Sequence, residues 1–178
     1  MYPQTLYPMS KNQTQFQSHH KELNNLHVIL NYQEAKKQKK LSIIGLLMAQ
    51  ECRRCTTQPK ERWDPFCTDC SLSGEISRST ELREVLEAKE KHSTALHKLL
   101  AYVRAHLQDA STDDRDGLTI LFGRTCGACA APKSVVHSMC KPCYKIAAGS
   151  NEFENVEVEC DALFDKLEAL FSRFNTPT

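Results

Sequence analysis

Eight of the nine cysteines fall into two sets with nearly the same internal spacing. Each set is a pair of cysteines separated by two residues and then a second such pair, with 11 residues between the pairs in the first set and 10 in the second. Two residues between thiols let both sulfurs turn inward from one tight knuckle, and two knuckles supply the corners of a tetrahedron. The predicted ligands are Cys52, Cys55, Cys67 and Cys70 in the first set and Cys126, Cys129, Cys140 and Cys143 in the second. Because thiolates prefer a borderline-soft d¹⁰ cation, the pattern predicts two zinc ions per chain.

Disulfide pairing is the alternative use of these cysteines, and it needs an oxidising compartment. Residues 1–18 have no basic start, no apolar run and no small-residue cleavage site, so we expect no signal peptide. The apolar run at 41–49 follows four lysines and resembles a displaced signal core, but its nine residues are too few to span a bilayer, which needs about 20. We therefore expect a reducing, intracellular location (cytoplasm or nucleus), no membrane association, and a buried helix or strand at 41–49.

The two cysteine sets share features beyond the ligands. A Pro-Lys pair stands before the third cysteine with six residues between the lysine and that cysteine in both sets, at Pro59-Lys60 and at Pro132-Lys133. The segments LSII (41–44) and LTIL (118–121) precede the sets, and amphipathic stretches at 95–107 and 162–174 follow them. Duplication of one unit explains this likeness, and convergence on the needs of a zinc finger is the alternative. Each set is expected to close around its own ion, because about 55 residues separate them and long closures cost entropy.

The rest of the chain predicts a mainly α protein with two small four-cysteine zinc-finger units of knuckles and hairpins. Apolar residues recur at helical spacing from about residue 20, along a long segment after the first set, and in the last 20 residues. The polar stretch 89–94 marks a candidate break in the long central helix. The predicted segments are a mobile arm (1–18), an N-terminal helical segment (19–50), a first zinc finger (51–72), a long helix (78–108), an acidic linker (109–117), a second zinc finger (118–149) and a C-terminal helix (153–175).

Charge is balanced overall, at 23 basic against 22 acidic residues, but it is unevenly placed. The balance excludes a globally basic coat for nucleic acid and the high net charge of a fully disordered chain. Residues 124–149 carry four basic and no acidic residues, whereas residues 150–178 carry two basic and seven acidic residues. The second finger is therefore the most basic surface that the sequence predicts.

Two groups of cations are candidate nucleic-acid contacts: Arg124, Lys133, Lys141 and Lys145 of the second finger, and Lys36, Lys37, Lys39 and Lys40 of the N-terminal segment. The alternative for the first group is that it balances four thiolates around one divalent ion, which leave a net negative centre. The alternative for the second group is the solvated face of a helix. In the first finger, Trp63 and Phe66 either stack on bases or form the small core of the finger, and we favour the core.

The sequence gives little support to an enzymatic function. Catalytic zinc keeps an open position for water, whereas four thiolates fill all four positions. His137 lies between the two cysteine pairs of the second set, as in the His-Asn-His nucleases. The further histidine or asparagine residues that those nucleases need are missing from 144–150. The ninth cysteine, Cys160, has apolar neighbours and is predicted to be buried. We expect no catalytic residues and no enzyme activity.

The cysteine sets resemble the zinc-ribbon and treble-clef class of four-cysteine fingers, and CKPCYKIAAG (140–149) resembles a treble-clef knuckle running into a helix. The resemblance covers about 45 residues and implies zinc, while this class serves DNA, RNA and protein binding alike. The chain as a whole resembles small regulators of transcription machinery, including viral and phage ones. We predict a zinc-binding regulator that contacts nucleic acid or a transcription-machinery protein. The alternative is a protein-only adaptor or inhibitor in which zinc is a structural scaffold and the apolar helices 79–107 and 155–174 are docking or dimer surfaces, with 79–107 as the candidate dimer helix.

Overall fold

The computed structural model describes residues 11–134 and 137–174, and helices dominate these residues. They are α1 (Lys11–Met48), α2 (Thr68–Leu72), α3 (Gly74–Ser77), α4 (Thr80–Ala105), α5 (Gly117–Phe122), α6 (Lys141–Ala147) and α7 (Glu152–Phe174). Extended pairing within the described ranges is limited to two isolated antiparallel bridges, Glu51 with Pro59 and Thr125 with Pro132. The mainly α prediction is confirmed, whereas each predicted hairpin amounts to a single bridge. None of the helices in the described part of the chain is both long and apolar enough to cross a membrane.

The chain divides into two compact regions, Met1–Ser42 and Ile43–Thr178. The first region contains most of α1, which already begins at Lys11 in the described residues. The arm predicted at 1–18 therefore ends earlier than expected, and residues 1–10 lie outside the described residues. The physical reason is that Pro8 is the last proline before α1, and residues 11–18 contain neither proline nor glycine to stop a helix.

Between residues 25 and 34, α1 carries large apolar side chains that are more than half exposed. Leu26, Ile29 and Leu30 share one face because they are three and four residues apart. Their exposed fractions are 58%, 54% and 56%. Val28 and Tyr32 are also exposed on a neighbouring face. This part of α1 therefore presents an apolar surface that the described chain leaves in contact with solvent.

The second region is organised by α4 and α7, which pack along each other in antiparallel directions. Two ion pairs mark this register: Lys166 Nζ lies 2.9 Å from a carboxylate oxygen of Glu84, and Arg173 lies 2.6 Å from Glu81. The Ser79 side chain caps α4 by accepting a hydrogen bond from the backbone N–H of Leu82 at 3.2 Å.

The helix α4 runs unbroken through the polar stretch at 89–94, in contrast to the candidate break there. His92 is only 1% exposed, and the small residues Ala88 and Ala95 on either side of it are buried as well. The buried face of α4 therefore continues through small residues and a histidine. The spacing of large apolar residues in the sequence does not predict this continuation. The helix α7 begins and ends one residue before the predicted 153–175.

The apolar face of α4 is covered by other helices of the same chain, chiefly α7, α5 and α6. Leu96, Leu99, Leu100 and Val103 are each at most 1% exposed. A dimer through helix 79–107, as the sequence predicts, would have to use the outer face of α4, where Leu86 is 57% exposed.

The apolar segments before the two cysteine sets are both helical. Ile43, Ile44 and Leu47, at the end of α1, are buried in the second region. In α5, Leu118, Ile120 and the residues after them are likewise buried. Asp116 begins α5 by accepting hydrogen bonds from the backbone N–H groups of Leu118 and Thr119. The prediction of a buried helix or strand at 41–49 is thus resolved as a helix through Met48.

Candidate metal centres

The structure brings each predicted set of four cysteines together as a group that could hold a metal ion. Within each group, the four Sγ atoms lie within 4.8 Å of one another. The groups are held by the first cysteine module (residues 51–72) and the second cysteine module (residues 118–149). All nine cysteines lie among the described residues, none of them forms a disulfide, and Cys160 is buried.

The sulfur–sulfur distances fit tetrahedral coordination. In the first group Cys55 Sγ lies 3.7 Å from Cys67 Sγ, and in the second Cys129 Sγ lies 3.7 Å from Cys140 Sγ and 3.6 Å from Cys143 Sγ. A tetrahedron of thiolates around zinc, with Zn–S bonds of about 2.3 Å, has edges of about 3.8 Å. A disulfide would need about 2.05 Å. The spacing therefore suits four sulfurs around one central ion.

The same backbone hydrogen bonds build both knuckles. The N–H of the first cysteine donates to Gln58 O in the first module (2.9 Å) and to Ala131 O in the second (2.7 Å). The residue after the second cysteine, Thr56 or Ala130, has a positive φ and donates its N–H back to the first cysteine. Each residue up to Thr56 therefore corresponds to the residue 74 positions later in the chain. From Gln58 onward the offset is 73 positions, because the first module carries one extra residue.

This correspondence corrects the register suggested by the sequence. Residue 44 lies 74 positions before residue 118, so residues 44–48 match residues 118–122, rather than LSII matching LTIL. The buried residues agree with the new register, since Ile44 matches Leu118 and Leu47 matches Leu121. The same local structure is therefore built twice, with a helix before each knuckle.

The second cysteine pair of each group lies at the start of a short helix. Cys67 is the N-cap residue of α2 and Cys140 is the N-cap residue of α6. The fourth ligand, Cys70 or Cys143, follows in the first turn. The positive end of the helix dipole favours thiolate there.

Hydrogen bonding and burial act in opposite directions on these thiols. Backbone and side-chain donors from Thr57 and a backbone donor from Gln58 lower the pKa of Cys55 to about 6. Burial raises the pKa of Cys126, but the N–H groups of Cys140, Ala128 and Cys129 outweigh it and lower the value to about 7. Burial raises the pKa of Cys70 and of Cys143, and neighbouring sulfurs raise it further. Four thiolates can coexist in either group only if a cation balances them.

The lysines of the two Pro-Lys pairs each cap the end of the preceding helix. Lys60 Nζ donates to Leu47 O at 2.7 Å. Lys133 Nζ donates to Leu121 O at 3.1 Å and to Gly123 O at 2.5 Å. Burial lowers the pKa of both lysines, that of Lys133 to about 8. The lysine that recurs in both Pro-Lys pairs therefore has a structural role that the sequence pattern does not explain. The ammonium group of Lys133 is hydrogen-bonded within the chain.

The first module packs against the end of α7. The ring of Phe66 meets Phe171 and Phe174 edge-to-face, with centroids 5.9 and 6.3 Å apart, and Phe66 is 1% exposed. Trp63 packs on Phe122 of α5 at 4.8 Å. Trp63 and Phe66 therefore belong to the core, and stacking on bases is excluded for them in this structure.

The second module packs against the end of α4 instead. Arg104 donates to Gly127 O at 2.7 Å and to Asp113 O at 3.2 Å, which ties the knuckle and the 109–116 linker to α4. Gly127 is buried so closely that an added Cβ would lie 2.8 Å from Ile120 and 3.1 Å from Leu100. Each module thus packs on the last turns of the long helix that follows the other module. Sequence reasoning missed Arg104 and Gly127, and no local signal marks them.

The four predicted cations of the second module differ in availability. Arg124, Lys141 and Lys145 are exposed, whereas Lys133 is partly buried and capped as described. The exposed side of α6 also carries Tyr144, which is 37% exposed. Burial and then the carboxylate of Glu157 raise the pKa of Tyr144, so its hydroxyl stays protonated near neutral pH.

The other predicted cations lie on α1, in the first compact region. Lys37 is exposed, while Lys36, Lys39 and Lys40 are partly buried. These lysines follow the exposed apolar face of α1 within three turns. The chain matches no family model, no curated protein and no solved structure, so the site geometry is the basis for a function.

Proposed function

We propose that both cysteine groups hold zinc and that the protein is a non-enzymatic, intracellular regulator. The sulfur spacing near the edge of a zinc–thiolate tetrahedron supports the metal assignment. Four thiolates leave no ligand position for a reacting water, which favours structural rather than catalytic zinc. The placement of the third and fourth ligands at a helix start supports two treble-clef-like fingers, each with its hairpin reduced to one bridge.

We further propose that the second module contacts nucleic acid or a nucleic-acid-bound transcription complex. The observation that carries this proposal is that Arg124, Lys141 and Lys145 are all exposed on a module without a single acidic residue between 124 and 149. Ion balance alone would place the cations against the sulfurs, whereas these three are exposed to solvent. Phosphate binding by these cations releases counterions, so the affinity should fall steeply with salt.

The direct test replaces Arg124, Lys141 and Lys145 together by alanine and measures binding to labelled DNA and RNA oligonucleotides by fluorescence anisotropy. Lys133 is left in place, because its removal would uncap α5. The matched control is Arg53→Ala with Arg62→Ala, which removes exposed cations from the first module. We expect the triple variant to keep two zinc ions and to bind both nucleic acids much more weakly. Unchanged binding by the triple variant would refute the proposal.

A protein-only adaptor is the second candidate, and the exposed apolar face of α1 favours it. The occupant that fits this face is an amphipathic helix of a partner protein, with acidic residues beside its apolar stripe. Such a helix would cover Leu26 and Leu30 while its carboxylates meet Lys37 in the next turns. A helix of this length gains most of its stability from packing, which a partner would supply.

The adaptor is tested by placing a photoreactive amino acid at Tyr32 in cells and mapping the crosslinked peptide. The adaptor predicts an acidic helical segment of another protein, lost in a Leu26→Asp, Leu30→Asp variant. The same photoreactive residue at the exposed Leu86 of α4 is the control position. Crosslinks that survive the double substitution, or that form equally at Leu86, would count against the adaptor.

A further inference from the structure

A cavity of about 550 Å³ opens beside the metal group of the second module. Its walls include Pro132, Ser134, His137, Met139, Lys141 and Tyr144. This volume lies within the range of small-ligand pockets, about 300–1,000 Å³. The lining combines apolar and aromatic surface with a cation, which is the combination that a flat, polar-edged heterocycle with a nearby anion requires.

The aromatic wall is held in place from two sides. The rings of Tyr144 and Phe153 meet edge-to-face at 84°, with centroids 5.0 Å apart. His137 meets Tyr144 at 76° with a centroid distance of 6.1 Å. Tyr144 nevertheless remains 37% exposed. A ring that is fixed by its neighbours and still accessible loses little freedom when a second ring stacks on it.

The exposed cations near this opening lie on α6. Lys141 lines the cavity, and Lys145 lies one helical turn further along α6, exposed on the same short helix. A nucleobase stacked on Tyr144 would therefore bring its adjoining phosphates among ammonium groups. Proteins that bind single strands combine aromatic platforms for bases with cations that follow the backbone.

The first module serves as an internal comparison. It builds the same knuckle and the same helix start, but different side chains occupy the positions that matter for the cavity. At the positions of His137, Lys141, Tyr144 and Lys145 it has Asp64, Thr68, Ser71 and Leu72. Holding a metal ion in this backbone therefore does not require the aromatic and basic set, and another role must account for it.

We infer that the cavity of the second module binds one unstacked nucleobase on Tyr144 and His137, with Lys141 at the adjoining phosphate, so that the ligand is single-stranded nucleic acid. This inference rests on the proposed contact between the second module and nucleic acid. It adds that the nucleic acid is single-stranded, because a base inside a duplex cannot enter the cavity.

The experiment uses the full zinc-loaded chain and compares fluorescein-labelled oligodeoxythymidine, oligouridine and a DNA hairpin duplex at one salt concentration. The ring is removed by Tyr144→Leu, which keeps an apolar contact with Phe153, and is retained by Tyr144→Phe. Ser71→Ala at the matched position of the first module is the control. We expect Tyr144→Leu to weaken single-strand binding about 5- to 150-fold, the range of one base stack, and to leave duplex binding unchanged.

A second readout does not depend on affinity. Irradiating the complex with an oligonucleotide that carries 5-iodouracil should crosslink Tyr144 or His137, as mapped by mass spectrometry. If Tyr144→Leu binds single strands as well as the unmodified chain does, or if the duplex binds equally tightly, the inference is wrong while the proposed function stands. If the chain binds none of the three probes, both are wrong. Preference between oligodeoxythymidine and oligouridine identifies DNA or RNA as the source of the base.

Discussion

The two cysteine modules share one backbone conformation but bury opposite parts of it. In the first, the knuckle faces solvent with Arg53 exposed, and the module is anchored by the aromatic side chains that follow the knuckle. In the second, the knuckle is buried through Gly127, and the helix after it is left exposed with its cations and Tyr144. The backbone that brings four cysteines together is therefore common to both modules, while the side chains around it form core in the first and a candidate binding surface in the second.

The largest expected effect is the loss of one metal ion, tested at the matched fourth ligands. Cys70→Ser and Cys143→Ser should each leave one zinc ion per chain instead of two, counted by native mass spectrometry. A structural zinc site supplies about 10–16 kcal/mol of apparent binding free energy, so the affected module should lose its fold.

The two cysteine variants should then differ in function. The Cys70→Ser chain should retain nucleic-acid binding through its intact second module, whereas the Cys143→Ser chain should lose it. Equal losses in the two variants would break the proposed division between the modules.

A smaller effect distinguishes how the modules are anchored. Phe66→Ala should cost about 4 kcal/mol of unfolding free energy, because it removes a fully buried ring that contacts Phe171 and Phe174. The matched Met139→Ala should cost about 2 kcal/mol, since Met139, although buried, lines an open cavity. Urea unfolding of the zinc-loaded variants gives both values, and a reversed order would contradict the aromatic anchoring of the first module.

Much of this anchoring could not be predicted from the sequence. The cysteine spacing correctly predicted which eight cysteines come together in two groups, because each group is formed by residues close together in the sequence. Helical periodicity correctly located α4 and α7. The contact of Phe66 with Phe174 joins residues more than 100 positions apart and leaves no local pattern. The close approach of Gly127 to Leu100 could not be predicted from the sequence either, since any glycine in a knuckle can be explained as a turn residue.

Three other expectations differed for identifiable reasons. The central helix continues through 89–94 because small residues and a buried His92 carry its inner face. The helix α1 reaches back to Lys11 because residues 11–18 contain neither proline nor glycine. The likeness between the two modules was visible in the Pro-Lys pairs, but only the structure shows that Lys60 and Lys133 cap the preceding helices, and it moves the alignment of the helices by three residues.

The knuckle comparison is sharpened by a single added methyl group. Gly127→Ala places a Cβ about 2.8 Å from Ile120, as the backbone stands, so we expect a loss of about 1–3 kcal/mol from overpacking. Arg53→Ala at the matched position of the first module should change stability by less than about 0.5 kcal/mol, because Arg53 is exposed. Thermal unfolding of the two variants measures the difference, and a stable Gly127→Ala protein would show that the second knuckle is not packed as described.

The smallest effect concerns the lysine caps. Lys60→Met and Lys133→Met should each cost about 1–2 kcal/mol, since each variant leaves helix-end carbonyls without their ammonium donor. Because the ammonium of Lys133 is engaged within the chain, Lys133→Met should not change the salt dependence of nucleic-acid binding. A change in that salt dependence would return Lys133 to the set of phosphate contacts.

The most direct test of the account measures the salt dependence of single-strand binding for the unmodified chain, the Arg124/Lys141/Lys145 triple alanine variant and the Arg53/Arg62 double alanine control. Each phosphate contact contributes about 0.7 to the slope of log K against log salt for single strands. We predict that the slope falls by about 2 in the triple variant and is unchanged in the control. An unchanged slope in the triple variant, or an equal fall in the control, would contradict the claim that the exposed cations of the second module contact the nucleic acid.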